Sequence, residues 1–547
     1  MLTGDMLRRS AARFPDKPAI VFRGADAASR RVVPYRALDA RANQLAHALL
    51  ALGLPQGAKV SMLSRNLPEY GVVFFGVART GLVLNNVSIL YAADELAWVL
   101  NKSDSEALII DAAFADRLPH VRARCPRLRH VVVLGLVPDA APALADTADV
   151  AINFEAFIAG QPTTPPDLAL NERDPFCMTY TGGTTGRPKG VLVSHRARNV
   201  TAHTVVVEER LVPEDVVAIV TPLFHVAALN IMFQPAVLIG ATSVFVTPWS
   251  PTGFIDACEA EGITAAFMVP TQANTLVTHP AFDAARLHSW RKLSFAGAPM
   301  PDWVQLELMA KLPQLQLTQI YGQSEMGVIA ALPHHLLPTK LGSVGRQPFN
   351  VDLAVLRPDG TPAAVGEIGE VATRGDNVMI GYYNEPEQTA AFFQAGGGWG
   401  LSGDVATIDA DGCITLVDRA KDMLISGGEN VYPKEIEDAI YGLDAVAEVA
   451  VFGIPDDKFG EVPAAYIQLK PGATLTEADV VAQCEARLAR LKRPRLVKFV
   501  DGFPKTPIGK IQKNVLKAPF WLGRGTQSMP PAPGLPGCSA RRGSPPR

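Results

Sequence analysis

At 547 residues, with 48% hydrophobic and 19% charged residues, the chain has length for roughly three or four domains and the make-up of a soluble globular protein. A net charge of -3 without runs of like charge leaves no electrostatic footprint for nucleic acid. Cys125, Cys177, Cys258, Cys413, Cys484 and Cys538 are scattered without a Cys-x-x-Cys pair, which argues against zinc and against a disulfide framework, and for a reducing, cytoplasmic setting.

The first residues, Met1 to Ser10, lack the apolar core of a secretory signal. Up to about residue 170 helices and strands alternate: helical spacing from Ala37 to Leu50, a buried strand at Val60–Leu63, a helix from Tyr70 to Ala78 and a strand at Leu82–Leu84. Pro138 to Pro166, rich in Ala, Pro and Asp, reads as an excursion without chemistry.

The next stretch runs Thr181-Gly182-Gly183-Thr184-Thr185-Gly186-Arg187-Pro188-Lys189-Gly190, entered from Phe176–Tyr180 and left through Val191–Ser194. Glycines free successive backbone N–H groups to point into one concavity and hold phosphate oxygens, with threonine hydroxyls and a lysine beside them. Pro188 breaks the Gly-x4-Gly-Lys-Ser/Thr spacing, so a Walker-type NTPase does not match. A bare glycine-rich surface turn is the plain alternative; the length and order of the motif favour phosphate binding.

Between Asp215 and Asp256 no Asp, Glu, Lys or Arg occurs, but Pro222, His225, Asn230, Gln234, Pro235 and Gly240 leave pieces too short to span a bilayer. They predict a buried strand, a core helix over Leu229–Leu238 and another buried strand. Strand-like runs recur at Val216–Val220, Ile263–Val269, Leu293–Phe295 and Leu315–Ile320, stopping at polar or turn signatures: Thr221–His225, Pro270, Ala296–Pro299 and Tyr321–Glu325. These predict βα units of a parallel sheet with its ligand edge at the strand C-termini. Gly342 to Asp418 has the texture of a small β-rich unit. A separate domain follows, with helices at Pro433–Ile440 and Glu477–Leu491 and strands at Glu448–Phe452 and Ala465–Leu469. Beyond Trp521 the Pro, Gly, Ser and Arg composition predicts disorder.

Five motifs occur in one order: the loop Thr181–Gly190; Tyr321-Gly322-Gln323-Ser324-Glu325; Trp399-Gly400-Leu401-Ser402-Gly403-Asp404; Asp418-Arg419-Ala420-Lys421-Asp422 with Gly427-Gly428-Glu429-Asn430; and Pro504-Lys505-Thr506-Pro507-Ile508-Gly509-Lys510. In this order, from about residue 10 to 520, the chain resembles the AMP-forming acyl-CoA synthetases. These belong to the adenylate-forming superfamily that also holds firefly luciferase and the adenylation domains of peptide synthetases. The resemblance implies an α/β fold: a large AMP-binding N-terminal domain (1–418) of parallel-rich sheets with helices plus a small β-rich unit, a hinge (419–421), a small mobile α+β C-terminal domain (422–520) and a tail (521–547).

It also implies a two-step ligase using ATP, Mg²⁺ and coenzyme A on a carboxylic acid. Thr181, Gly182, Gly183, Thr184, Thr185, Gly186 and Lys189 would hold the β- and γ-phosphates, and Glu325 with Thr184 the Mg²⁺. Gly297-Ala298-Pro299 would face the adenine, Tyr321, Gly322, Gln323 and Ser324 would belong to the nucleotide site, Asp404 would accept both ribose hydroxyls, and Arg419 would reach ribose or phosphate. Lys510 would bridge the acyl carboxylate and the α-phosphate during adenylation. Lys421 matches the hinge about which the small domain turns, bringing Gly428 and Glu429 toward the site for thioester formation. His225, in Leu223–Ala228, would line the acyl channel; without an acidic residue nearby to meet an amino group, a plain fatty, alicyclic or aryl acid is expected.

Met326 stands where a serine-hydrolase elbow needs glycine. Standing alone, Glu325 reads as a helix-start carboxylate, Asp404 as a turn aspartate and His225 as a core histidine; the joint motifs override these for Glu325 and Asp404. Gly183, Ser324, Ser402 and Asp418 depart from the usual family residues without removing a needed group. Transfer to a carrier protein, oxidation of the adenylate as in luciferase, and a non-catalytic nucleotide-binding regulator are the alternatives. The oligomeric state is left open, a homodimer included.

Overall fold

The computed structural model describes residues 1–24, 29–135, 151–181, 188–419, 422–426, 429–505 and 511–522, with backbone alone at Arg419, Ile425, Glu429 and Asn430. The chain clusters into two compact units, Met1–Lys421 together with Lys505, and Asp422–Pro504 together with the helix Lys513–Trp521.

Two eight-stranded sheets carry the large unit. The first runs Ala151–Asn153, His130–Leu134, Ser105–Asp111, Lys59–Leu63, Val83–Asn86, Pro175–Thr181, Lys189–Ser194, Gly381–Tyr382. The second runs Gly327–Leu332, Gln316–Gln323, Lys292–Phe295, Ala265–Met268, Val216–Ile219, Thr242–Val246, Pro18–Arg23, Arg31–Pro34. Their inner strands pair in parallel, and the antiparallel pairings fall at the edges. Parallel strands covered on both faces are uniformly apolar rather than alternating. Thr242–Val246, buried at every position, shows why so much of the chain between Asp215 and Asp256 carries no charge.

Helix Glu69–Val77 is buried from Tyr70 to Val77, on all its faces, as befits a helix at the centre of a large core. Its rings tie the sheets together. Phe176, on the first sheet, meets Phe74 edge-on at 5.2 Å, and Phe74 meets Phe75 at 5.0 Å. Phe75 lies 5.9 Å from Phe233, and Phe233 packs at 5.5 Å on Phe245 of the second sheet. Pairs of this kind add about 1 kcal/mol each beyond area burial. The loops that leave the two sheets are thereby held in fixed relation.

A third, wholly antiparallel sheet runs Ser343–Gly345, Ile414–Arg419, Gly400–Ile408, Gly369–Arg374, Asp352–Leu356, in the region read as β-rich. In the small unit, Glu429–Val431, Leu424–Ser426, Gly460–Leu469 and Val446–Asp456 form an antiparallel sheet, with Leu496–Phe499 parallel to Gly460–Leu469. Helices Pro433–Tyr441 and Glu477–Arg487 help bury Leu424, Ile436, Val449, Val451, Ile467, Val480 and Cys484.

Several expectations need correction. The strand expected at Leu315–Ile320 continues to Gln323, because Gly327–Leu332 folds back and pairs with it through Gln323. The core helix expected over Leu229–Leu238 begins as a π-helical turn, Ala227–Phe233, before the α-helix Gln234–Ile239. The helix expected to reach Leu491 ends at Arg487, where Leu488 turns to extended backbone and a 3₁₀ turn, Arg490–Lys492, follows. The tail from 523 lies outside the described residues. Among the described residues no helix is long and apolar enough to cross a membrane.

Candidate active site

The two strands that flank the glycine motif pair with each other. Pro175–Thr181 and Lys189–Ser194 pair antiparallel, with Thr181 directly opposite Lys189, so the two side chains issue side by side. Gly182, Gly183, Thr184, Thr185 and Gly186, between them, lie outside the described residues, as do Lys421, Gly428 and Lys510; the side chains of Arg419 and Glu429 do too.

A short strand that sequence reading missed lies along this strand pair. Gly381–Tyr382 pairs antiparallel with it, Tyr382 opposite Val191. The N–H groups of Ile380 and Tyr383 donate to the carbonyls of Leu192 (2.9 Å) and Gly190 (2.8 Å). The Tyr382 N–H donates to Thr389 Oγ1 at 2.9 Å. These bonds set the Tyr382 ring beneath Lys189, whose Nζ lies 4.8 Å from the ring centroid. The Tyr382 hydroxyl donates to Glu325 Oε1 at 3.0 Å. Burial first, then the Glu325 carboxylate, push the phenol well above its ordinary range, so it stays protonated and a donor.

Glu325 occupies the turn between Gln316–Gln323 and Gly327–Leu332, which overturns the helix-start alternative. A second tie holds it: the Met379 N–H donates to the Glu325 carbonyl at 2.7 Å. Gly322 is required by this hairpin. A Cβ there would lie 1.9 Å from the Gly327 carbonyl oxygen, which is backbone and cannot swing aside.

The same strand grips the ribose candidate. Tyr321 and Gln323, two residues apart, reach Asp404 in the third sheet: the Tyr321 hydroxyl donates to Oδ2 at 2.6 Å and Gln323 Nε2 to the same oxygen at 3.0 Å. Gln323 Nε2 also meets the Ser402 carbonyl at 2.9 Å, and the Asp404 N–H donates to Ser402 Oγ at 3.0 Å. Asp404 is buried, so these bonds fix its carboxylate where water would otherwise orient it. Glu370, unremarked in the sequence, accepts the Gly403 N–H at 2.8 Å. Its carboxyl is raised chiefly by burial, with Asp404 adding repulsion.

Gly297, Ala298 and Pro299 are exposed at the C-terminal end of Lys292–Phe295, one strand removed from Val216–Ile219, which leads to His225. Gly297 has φ +94°, and a Cβ there would make only ordinary contact with Val269 Cγ1 at 3.7 Å. Such an open backbone shelf suits the approach of a flat ring. His225 is half-buried; its Nδ1 accepts the Ala227 N–H at 3.2 Å, which leaves the neutral ring protonated at Nε2. Asn66 holds this loop in place, donating through Nδ2 to the Thr221 carbonyl (2.9 Å) and accepting the Leu223 N–H (2.8 Å). Its place just after the strand Lys59–Leu63 was the one available signal for it. The structure thus brings together Lys189, Tyr382 and Glu325, and separately Tyr321, Gln323 and Asp404, with both groups hung on one hairpin.

Residues 7–383 match the AMP-binding enzyme family, and residues 435–510 match the AMP-binding enzyme C-terminal domain. The chain is similar to feruloyl-CoA synthase of Amycolatopsis sp, with 35% identity over 89% of this chain and 94% of that protein. It is also similar to a long-chain-fatty-acid–CoA ligase of Mycobacterium tuberculosis, with 34% identity over 94% of this chain and 98% of the other. Among solved structures, ATP-bound MatB from Rhodopseudomonas palustris superposes with a TM-score of 0.84 at 28% identity, covering 95% of this chain and 99% of that one. These likenesses show that the chain belongs to the AMP-binding enzyme family as an AMP-forming acyl-CoA synthetase.

Proposed function

We propose that this ligase acts on a hydrophobic carboxylic acid, fatty, alicyclic or aryl, and that its site residues take the roles their motifs imply. The carrying observation is the single hairpin Gln316–Leu332, which holds Asp404 through Tyr321 and Gln323 and presents Glu325 to the Lys189 hairpin through Tyr382. One rigid element then relates the ribose grip to the polyphosphate clamp.

A carboxylate oxygen of the acid attacks the α-phosphorus of ATP, and the bond to the bridging oxygen breaks to release pyrophosphate. Thr181, Lys189 and the backbone amides of Gly182–Gly186 orient that leaving group. Asp404 takes the ribose hydroxyls and Gly297–Pro299 the adenine. Lys510 sits between the two anions that must meet, removing the repulsion that opposes attack. The thiol of CoA then attacks the acyl carbonyl and AMP leaves, with Gly428 and Glu429 on the thiol side and Arg419 and Lys421 at the boundary between units.

The described residues hold no cluster of three or more His, Cys, Asp or Glu suited to a metal. One carboxylate is nonetheless what Mg²⁺ takes from a protein when phosphates and water complete its shell, so Glu325, with Thr184, fits that ion. Bound there, it would offset phosphate charge.

The apolar segment after His225 supports this class of acid. Ala227, Ala228 and Met232 are buried, Ile231 is half-buried, and no charge occurs between Asp215 and Asp256 to meet a polar substituent. The names of the feruloyl-CoA and long-chain-fatty-acid relatives support the aryl and fatty ends of this range. The test is a CoA-thioester assay with ATP and Mg²⁺ over fatty, alicyclic, benzoic and cinnamic acids. The expected result is a thioester, with AMP and pyrophosphate formed in step, for at least one hydrophobic acid; CoA-independent turnover across the whole panel would overturn it.

A further inference from the structure

We propose that Tyr382 is a positioning residue for the adenylation step, setting the phosphate-loop lysine and the metal-binding carboxylate in register with each other. This deepens the reading above and rests on the roles given there to Lys189 and Glu325. Two separate contacts of one side chain carry it: the ring face lies 4.8 Å from Lys189 Nζ, and the hydroxyl donates to Glu325 Oε1 at 3.0 Å.

The side chain is itself well fixed. Its strand is bonded to the Lys189 strand, its N–H is held by Thr389 Oγ1 at 2.9 Å, and its ring meets Phe392 edge-on at 6.3 Å. Thr389 in turn donates to the Glu385 carbonyl at 2.9 Å from the helix Pro386–Phe392. A rotamer locked in this way can transmit position, which a free surface tyrosine cannot.

Each contact has a consequence. A lysine and a glutamate facing the same polyphosphate attract each other, and a direct pair would draw both away from the nucleotide. Tyr382 gives each a different partner: a π face for the ammonium, which leaves its three N–H donors able to turn to phosphate, and a neutral donor for the carboxylate, which does not cancel its charge. The hydroxyl also fixes the rotation of the carboxyl group, which decides where the remaining lone pairs point. Positioning of this kind acts on metal use and phosphate binding rather than on the acid.

Tyr382→Phe and Tyr382→Leu separate the two contacts. Phe keeps the ring under Lys189 and loses the bond to Glu325; loss of a hydrogen bond to a charged group predicts that half-saturating Mg²⁺ rises about tenfold. KM for ATP at saturating Mg²⁺ and KM for the acid should stay within about twofold, since neither the ring face nor the acyl wall changes. Leu removes both contacts and should in addition raise KM for ATP by about three- to fivefold. Thermal unfolding of each variant identifies damage to the fold, and for Phe the midpoint should match wild type. Glu325→Gln, run alongside, separates this proposal from the reading beneath it. If Glu325→Gln raises the Mg²⁺ requirement and Tyr382→Phe leaves it unchanged, the role of Tyr382 is overturned while that of Glu325 stands. If neither variant changes it, both are overturned.

Discussion

Glu209 caps the C-terminus of the helix His195–Glu208 and is buried, and its Oε1 has no hydrogen-bond partner. Burial pushes its carboxyl up from 4.5 to about 8, with Glu208 adding and Ser294 and Lys292 opposing. A carboxyl raised in the folded protein contributes stability that is complete below the unfolded value, near 4.5, and is lost as pH rises toward about 8. Glu209→Gln stays neutral throughout. Its melting temperature should therefore match wild type near the acid end of this window, pull ahead as pH rises, and hold its lead above about 8. The gain there should approach about 5 kcal/mol. Thermal unfolding of both proteins across this range checks it; parallel curves would mean that Glu209 is ionised in the folded state. Asp404 shows the opposite treatment of a buried carboxylate: Tyr321 and Gln323 both donate to it.

At the scale of elements, two hairpins set the site, and both depend on backbone that side chains cannot replace. Gly322→Ala places a methyl group against the Gly327 carbonyl, and the strand must part to admit it. The expected cost is about 2–4 kcal/mol in chemical denaturation. Tyr321 and Gln323 flank the displaced residue, so their grip on Asp404 should loosen and KM for ATP should rise about tenfold or more. An unchanged KM in a destabilised protein would detach the hairpin from nucleotide binding. The chain's own residues announce only part of this. The strand Val216–Ile219 was legible because a buried parallel strand is an unbroken apolar run, and Lys292–Phe295 by the turn residues that stop it at Ala296–Pro299. The extension to Gln323 was not, because a tyrosine, a glycine and a glutamine look like the end of a strand until the returning Gly327–Leu332 is seen to pair with them. Gly381–Tyr382 is too short to show any period, and the meeting of Tyr382 with Lys189 depends on a register between segments far apart in sequence. The π-helical turn Ala227–Phe233 carries no compositional mark that separates it from an α-helix. Glu325 and Asp404 stand out in the sequence as members of ordered motifs, whereas Tyr382, which bonds Glu325, and Glu370, which accepts the Gly403 N–H, come to notice only in the folded chain.

For the whole molecule, the constraint is that two reactions with different nucleophiles share one acyl group. Adenylation needs a cation where carboxylate and α-phosphate meet; thioester formation needs that place cleared for a thiol. A single rigid cleft cannot meet both demands, and we propose that the small unit beginning at Asp422 is the element that changes between them. On the proposed assignment Lys510 serves only the first reaction. Lys510→Ala should then lower acyl-adenylate formation by about a hundredfold or more, the usual effect of losing one well-placed donor to developing charge. Thioester formation from preformed acyl-adenylate and CoA should stay within about threefold of wild type, because no anion pair remains to be brought together. Pyrophosphate exchange reads the first half-reaction, and AMP release from supplied acyl-adenylate reads the second. An equal loss in both would place Lys510 in a static site serving either step, and the separate duty proposed for the small unit would fall.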